Sequence, residues 1–475
     1  MKITGSLHLR YRDKKYLLFF FLFFFLLVFF STPVPFFWDM INYSAKAQYY
    51  FSSNFSDLIA PCGVDDGHPP LFPLYIALAW KISGKSLAVC HWAMLPVMLG
   101  IIWETNRLAS RFLSRRLRVA ALILVLADPV LLTQCVLFGQ DLFIIYFFLL
   151  SLNSILYGKK KSFAVASSLL AMTSMRGIML MAPLILWNFS EVFFIEKKKW
   201  GLKDFLPFLP AALVVIAWGL FHYSRTGWLY SDPEKARWLA TAASPAKMVK
   251  NFVNIIWKIL DFGRFTLWLV PALLLSTRKL KTDRNYITLA ILTLSLFLTF
   301  VFFMVPISNP ICHRYFISIN IIAAIAAVYQ IQFIRSTLAR RLAFGMLLLA
   351  ILSGNFYLYP EHLKNGWDAS LKALPYFSLK NRVIEYVKEN NIDPGQVATG
   401  FPLSAPSKYT DLAEVNFSFR DKDTGSLRQF PYVIQSNVCN DFTPSELDTL
   451  RSGWPLVREF ASGQVYIRLY RNPEK

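Results

Sequence analysis

The sequence predicts a polytopic α-helical membrane protein of about eleven transmembrane helices, with interfacial helices on its outer face and a soluble α/β domain at its C-terminal end. Three observations carry this. Of the 475 residues, 55% are hydrophobic and 16% aromatic, with a mean hydropathy of +0.42, a composition too apolar for a soluble globule. Apolar stretches near bilayer-crossing length recur at 16–37, 86–106, 118–138, 141–158, 162–176, 177–195, 204–223, 264–278, 285–306, 314–334 and 342–359. If the chain crosses at each of these, the basic clusters at 107–118, 159–161, 197–199, 278–284 and 335–341 all fall on one side, as the positive-inside rule requires. The formal charge of +21 is then spent on orientation, because its Lys and Arg lie in short clusters between spans and not on one soluble face, which argues against nucleic acid as a partner.

The elements follow in order. Lys2, Arg10, Arg12, Lys14 and Lys15 precede YLLFFFLFFFLLVFF, the layout of a signal sequence. No small-residue cleavage site follows, so the segment reads as an uncleaved anchor with a cytoplasmic N-terminus. Residues 38–85 form a first outer loop. Within it LFPLYIALAWKISG, residues 71–84, resembles a span but is short, carries Lys81 and ends in Gly84. If it crossed, the five arginines of 107–118 would face outward, so it is expected to lie along or dip into the outer interface. The second substantial outer loop covers 224–263. After residue 360 the chain gains Asn, Asp, Glu, Pro and Ser. There LKNRVIEYVKENN reads as an amphipathic helix, and QVATGF, PYVIQS and QVYIRLY as strands of a separate α/β unit, 360–475, beside a membrane part of 1–359. The cysteines at 62, 90, 135, 312 and 439 have no metal-binding spacing and read as small buried residues. Cys62 and Cys439 both fall outside, which leaves a disulfide open.

Ionisable residues concentrate at the outer level. Asp39 follows Trp38 at the end of the first span, as an interfacial helix cap or as a general base in a partly dry cleft. Asp65, Asp66 and His68 precede the Pro69-Pro70 pair, either as an Asx-type turn or as polar groups aimed back at the membrane. Asp141 opens the fourth span in LFGQDLFIIYFF, as an N-cap or a functional carboxylate. Asp128, before Pro129 in the middle of the third span, suits a kink or an inter-helix hydrogen bond. Arg176 in MTSMRGIM and the group His313, Arg314 and Tyr315 in NPICHRYF place cations on the outer side, against the charge rule, so each calls for a local anion. A lipid phosphate fits, either of ordinary headgroups or of a substrate. A carboxylate to deprotonate an acceptor and cations to hold a departing phosphate make up the machinery for group transfer from a lipid-linked phosphate.

At these residues the chain resembles the GT-C membrane glycosyltransferases, above all the protein O-mannosyltransferases and the bacterial aminoarabinose lipid A transferases. The likeness runs over about residues 10–335 through the first outer loop, HPPLFPLYIALAWKISG, the Asp near span four, the Arg-Gly hairpin and the late RYF motif. It implies inverting transfer of a sugar from a polyprenyl-phosphate donor to an acceptor (lipid A, a glycan or a protein hydroxyl) on the outer face of a bacterial inner membrane. Asp39 matches the family's catalytic carboxylate. Relatives often carry Asp-Glu there, whereas Met40 follows in this chain. Asp66 or His68 falls where relatives place a second polar residue, and Arg176 where they carry a cation near the donor phosphate. The expected catalytic set is thus Asp39, Asp66 and Asp141. Arg176, His313, Arg314 and Tyr315 are expected on the donor phosphate, and Asp65 and His68 in support. No cofactor is required, and a divalent metal, if used, would fall to Asp65, Asp66 and His68. The C-terminal domain is expected to help present the acceptor. Two rivals remain: a transporter or flippase of a lipid-linked saccharide, which calls for inverted repeats and broken helices, and a non-catalytic envelope-polymer assembly protein.

Overall fold

Helices α1 (Tyr11–Ser31) and α4 (Leu87–Ser110) run antiparallel in the computed structural model. His91, near the start of α4, bonds the Val34 carbonyl just beyond α1 at 2.9 Å, while Tyr16 near the start of α1 donates to Asn106 near the end of α4 at 2.9 Å. The segment between them, α2 (Met40–Ser52) and α3 (Leu71–Ser83), therefore leaves and returns at one end of the bundle. The apolar stretch at 71–84 is thus no crossing, and it packs on α2 and α4. The structure describes residues 11–195, 201–229, 241–274, 283–363, 366–439 and 441–475. Lys2, Arg10, the cluster at 197–199, most of the cluster at 278–284, the side chains of Arg12, Lys14 and Lys15, and part of the second outer loop lie outside the described residues.

Among the described residues each of the eleven apolar stretches falls largely on helix. Among the described residues five helices are long and apolar enough to cross a membrane, six if a bent pair counts as one. That pair, α5 (Arg115–Ala127) and α6 (Pro129–Val136), bends by 63° at Asp128, whose carboxylate caps α6 by accepting from the Val130 and Leu131 amides at 2.9 and 3.0 Å. The expected kink is there, with Pro129 at the first helical position where its missing N–H costs nothing. Other stretches form shorter helices, such as α7 (Asp141–Leu156) and α8 (Lys160–Ala171). Sixteen residues of α7 reach about 24 Å, short of the roughly 30 Å of hydrocarbon, and irregular backbone at their ends is tolerated where protein buries it. Those ends hold the candidate site.

A multi-pass membrane protein explains the outer surface. On α1, Leu17, Phe20, Phe24 and Val28 are buried at helical spacing while Phe19, Phe29 and Phe30 are exposed, as suits a helix with protein on one side and lipid on the other. At the centre the helix Ile317–Ile331 is buried at every residue, packed against Phe265–Leu274, Arg284–Met304 and α5. Ala323, Ala324, Ala326 and Ala327 let those neighbours approach closely.

The C-terminal unit is a five-stranded mixed sheet of order β2-β1-β3-β5-β4. β1 (Val397–Thr399) pairs in parallel with β2 (Arg420–Asp421) and β3 (Tyr432–Ser436), and β5 (Val465–Arg471) pairs antiparallel with β3 and β4 (Leu456–Ser462). The three expected strands are β1, β3 and β5, and the expected amphipathic helix is Pro375–Glu389. The unit is not packed apart from the membrane part, since its core takes in Phe37 and Leu137. Cys62 is exposed and Cys439 buried, and no disulfide joins them.

Candidate active site

Helix ends converge on Arg314. A single 3-10 turn, His313–Phe316, precedes the buried helix Ile317–Ile331 and sends successive side chains to different sides. Arg314 is buried, and all three nitrogens of its guanidinium are engaged: Nε with Asp141 at 3.1 Å, Nη2 with Asp39 and Nη1 with Asp368. Asp141, in the first turn of α7 where the helix dipole favours an anion, also takes both terminal nitrogens of Arg176. Arg176 stands on the short helix Met175–Met179, which Ser174 caps by accepting from Gly177 at 3.2 Å. A Cβ on Gly177 would lie 2.0 Å from the Leu170 carbonyl oxygen, so glycine is what lets this helix fold back and point Arg176 inward. The Tyr315 ring lies 4.1 Å from the Arg176 guanidinium and 5.3 Å from that of Arg314. Three carboxylates thus meet two guanidiniums, with one formal negative charge in excess.

Asp39 occupies the N-cap position of α2 but makes no capping bond; its carboxylate turns to Arg314 and stays half exposed. Trp38 before it holds a left-handed backbone, φ +54°, uncommon for a bulky residue. Around these groups lie two recesses. One is lined by Phe37, Trp38, Asp39, Tyr43, Gln134, Gln140 and Asp368 among others. The second has an apolar wall of Ile144, Ile145, Met179 and Leu180, with Tyr315 and Ser318. Asp141, Arg176 and Arg314 line both and stand between them. Two buried polar atoms here have no protein partner, Gln140 Oε1 in the first recess and Ser318 Oγ in the second.

The expected residues separate into three places. Asp39, Asp141, Arg176, Arg314 and Tyr315 come together. Asp65 and Asp66 do not line this cleft. Both are Asx turns, accepting from the Gly67 and His68 amides at 3.0 Å, and both pair with the buried ammonium of Lys46. Asp65 also bonds His222 at 2.8 Å, tying the first loop to the helix Leu209–Thr226. The carboxylate pair therefore encloses the Lys46 ammonium. Among the described residues no group of three or more His, Cys, Asp or Glu side chains is gathered to hold a metal ion. Burial opposes the charge on both carboxylates, but the His222 and Lys46 contacts on Asp65 and the Lys46 ammonium beside Asp66 outweigh it and hold both carboxyls below the ordinary aspartate value. Burial likewise keeps the His68 imidazole below its usual value, against the opposing pull of Asp66.

His313 is the third case. It turns from the cleft to Asp261 at 2.8 Å and the Tyr359 hydroxyl at 3.2 Å, with Phe262 against its ring. The 3-10 turn that aims Arg314 into the cleft thus directs its neighbour out of it. Sequence reasoning missed Asp368, which sits where aspartate is ordinary, in a polar domain. It also missed Lys46, whose signal was a lone lysine among the small and aromatic residues of NYSAKAQYY.

This helix order, with a first loop that stays at one end, a cleft at the helix termini and a C-terminal unit laid over it, is a GT-C type of membrane fold. The chain is similar over 96% of its length to ArnT from Cupriavidus metallidurans, in the apo state (TM-score 0.55) and bound to undecaprenyl phosphate (TM-score 0.53). Each match covers 98% of that chain at 11% identity, so the likeness is one of fold. No family model matches the sequence, and no curated protein matches it.

Proposed function

We infer that this protein is an inverting glycosyltransferase that moves a sugar from a polyprenyl-phosphate donor to a hydroxyl of a lipid, glycan or protein acceptor, from the outer face of a bacterial inner membrane. The observation that carries the reading is Asp39, a half-exposed carboxylate that lines one recess and sits on the guanidinium, shared with Asp141, that lines both. The recess walled by Ile144, Ile145, Met179 and Leu180 suits the first units of a lipid tail, with its phosphate at Arg176 and Arg314; the recess that Asp39 lines suits sugar and acceptor. The solved ArnT complex holds undecaprenyl phosphate, which supports a lipid of this class.

In this scheme Asp39 takes the acceptor hydroxyl proton as its oxygen attacks the anomeric carbon. The bond from that carbon to the phosphate oxygen breaks, and polyprenyl phosphate leaves with the electron pair, its charge held by the two guanidiniums. The guanidiniums supply the positive charge, so the scheme uses no metal.

The transporter reading finds one observation in its favour, the broken helix at Asp128. The break is accounted for otherwise, because α6 brings Gln134 to the cleft and Asp128 satisfies the exposed amides.

Mass spectrometry of envelope glycolipids and glycoproteins, with and without this chain, tests the proposal. Loss of one glycoform on deletion, restored by wild type and not by Asp39→Asn, is the expected result; restoration by both would overturn it.

A further inference from the structure

We propose that the C-terminal domain completes the transferase centre. Asp368 acts as a positioning residue for Arg314, and Trp367 with Phe401 clamps the turn that presents Asp39. The inference rests on the transferase reading, and it gives the C-terminal domain a role inside the reaction centre.

The contacts concentrate on one turn. Trp38 lies between Trp367 and Phe401, with ring centroids 5.0 and 5.3 Å away. Phe37 meets Tyr376 and Phe377 at 6.1 and 5.4 Å, and the Phe36 amide donates to the Thr410 carbonyl at 2.9 Å. Three consecutive residues before Asp39 are therefore held by the domain that follows the last span. A left-handed tryptophan persists only where its surroundings over-determine it, and here two aromatic rings of the C-terminal domain are those surroundings. Release of Trp38 would return the turn to ordinary backbone and swing Asp39 off Arg314.

Asp368 acts on the other side of the same pair. Its main-chain carbonyl accepts from Gln134 at 2.8 Å, and its carboxylate takes Nη1 of Arg314. With Asp141 on Nε and Asp39 on Nη2, each nitrogen has its own carboxylate, which fixes the guanidinium plane. Without Asp368 the fork is free to rotate and take Asp39 bidentately, occupying the lone pairs the acceptor proton needs. Beside Asp39 and Asp141, the third carboxylate of this cleft thus comes from the C-terminal domain.

The test uses full-length protein in nanodiscs with undecaprenyl-phosphoryl hexose and pentose donors, and measures undecaprenyl phosphate binding in parallel. Asp368→Asn is expected to lower kcat at least tenfold, with donor KM and undecaprenyl phosphate affinity within threefold of wild type. Trp367→Ala is expected to do the same and Trp367→Phe to restore most of the rate. Wild-type kcat in Asp368→Asn, or a loss confined to donor KM, overturns the proposal. If Asp368→Asn lowers the melting temperature, Asp368→Glu decides: recovery of kcat supports positioning, while restored melting with kcat still low overturns it. A wild type inactive with every donor refutes the transferase reading itself, a result separable from failure of the variants alone.

Discussion

Arg314 and Asp39 are joined Nη2 to Oδ2 across 275 positions of sequence, and the same guanidinium holds Asp141 at 3.1 Å. One cation thus couples the half-exposed carboxylate to the buried one. The two should respond differently to neutralisation.

Asp39→Asn should leave the fold intact, because Asp39 is half exposed and buried Arg314 keeps Asp141 and Asp368, yet lower transfer by about 10²- to 10⁴-fold through loss of the base. Melting temperature and single-turnover rate, measured on one preparation, check both halves. An active variant would remove Asp39 from the mechanism.

Asp141→Asn should instead cost stability. It takes from buried Arg314 and partly exposed Arg176 the carboxylate they share, a loss of up to about 3–5 kcal/mol by the usual cost of breaking a buried pair. Arg176→Lys should fall between wild type and Asp141→Asn, since lysine cannot grip both oxygens. Equal melting temperatures for Asp39→Asn and Asp141→Asn would contradict the difference in burial.

The Lys46 cluster predicts an acid profile. Asp65 and Asp66 have carboxyls held below their ordinary 3.8, so the stability they add is complete above that value and is lost as pH falls below it. Lys46→Met removes the ammonium that holds the carboxyls down, so the variant should be less stable at neutral pH and should lose less stability than wild type as pH falls below about 4. Tryptophan fluorescence against pH in detergent reads the shift, and coincident curves for the two proteins would sink the argument.

Gly366 lies at φ +80°, and a Cβ there would sit 2.8 Å from the Tyr359 ring and 3.2 Å from Phe262. Gly366→Ala should cost more than about 1 kcal/mol and displace the Trp367–Asp368 pair, lowering both melting temperature and rate. A variant indistinguishable from wild type would mean the turn tolerates other backbone geometry.

Some of this was legible in the sequence, for reasons particular to each residue. Charge alternation alone separated the 71–84 segment from the spans, because a wrong crossing would have reversed five arginines. Asp141 and Arg176 stood out as charges at span ends. Asp66 and His68 looked equally promising, since a DDGHPP string shows neither the Lys46 ammonium that neutralises it nor the turn bonds that use it. His313 and Arg314 were indistinguishable until the pitch of one 3-10 turn parted them. Asp368 had no signal, because its role depends on a domain folding back over the cleft.

The helix that follows the Arg314 turn is buried at every residue from Ile317 to Ile331. Such a segment has no face of its own for lipid, and it brings Asn320 and Gln330 with it into the interior. Its stable place exists only once Phe265–Leu274, Arg284–Met304 and α5 surround it, so the placing of Arg314 depends on three helices that carry none of its carboxylate partners in their own sequence.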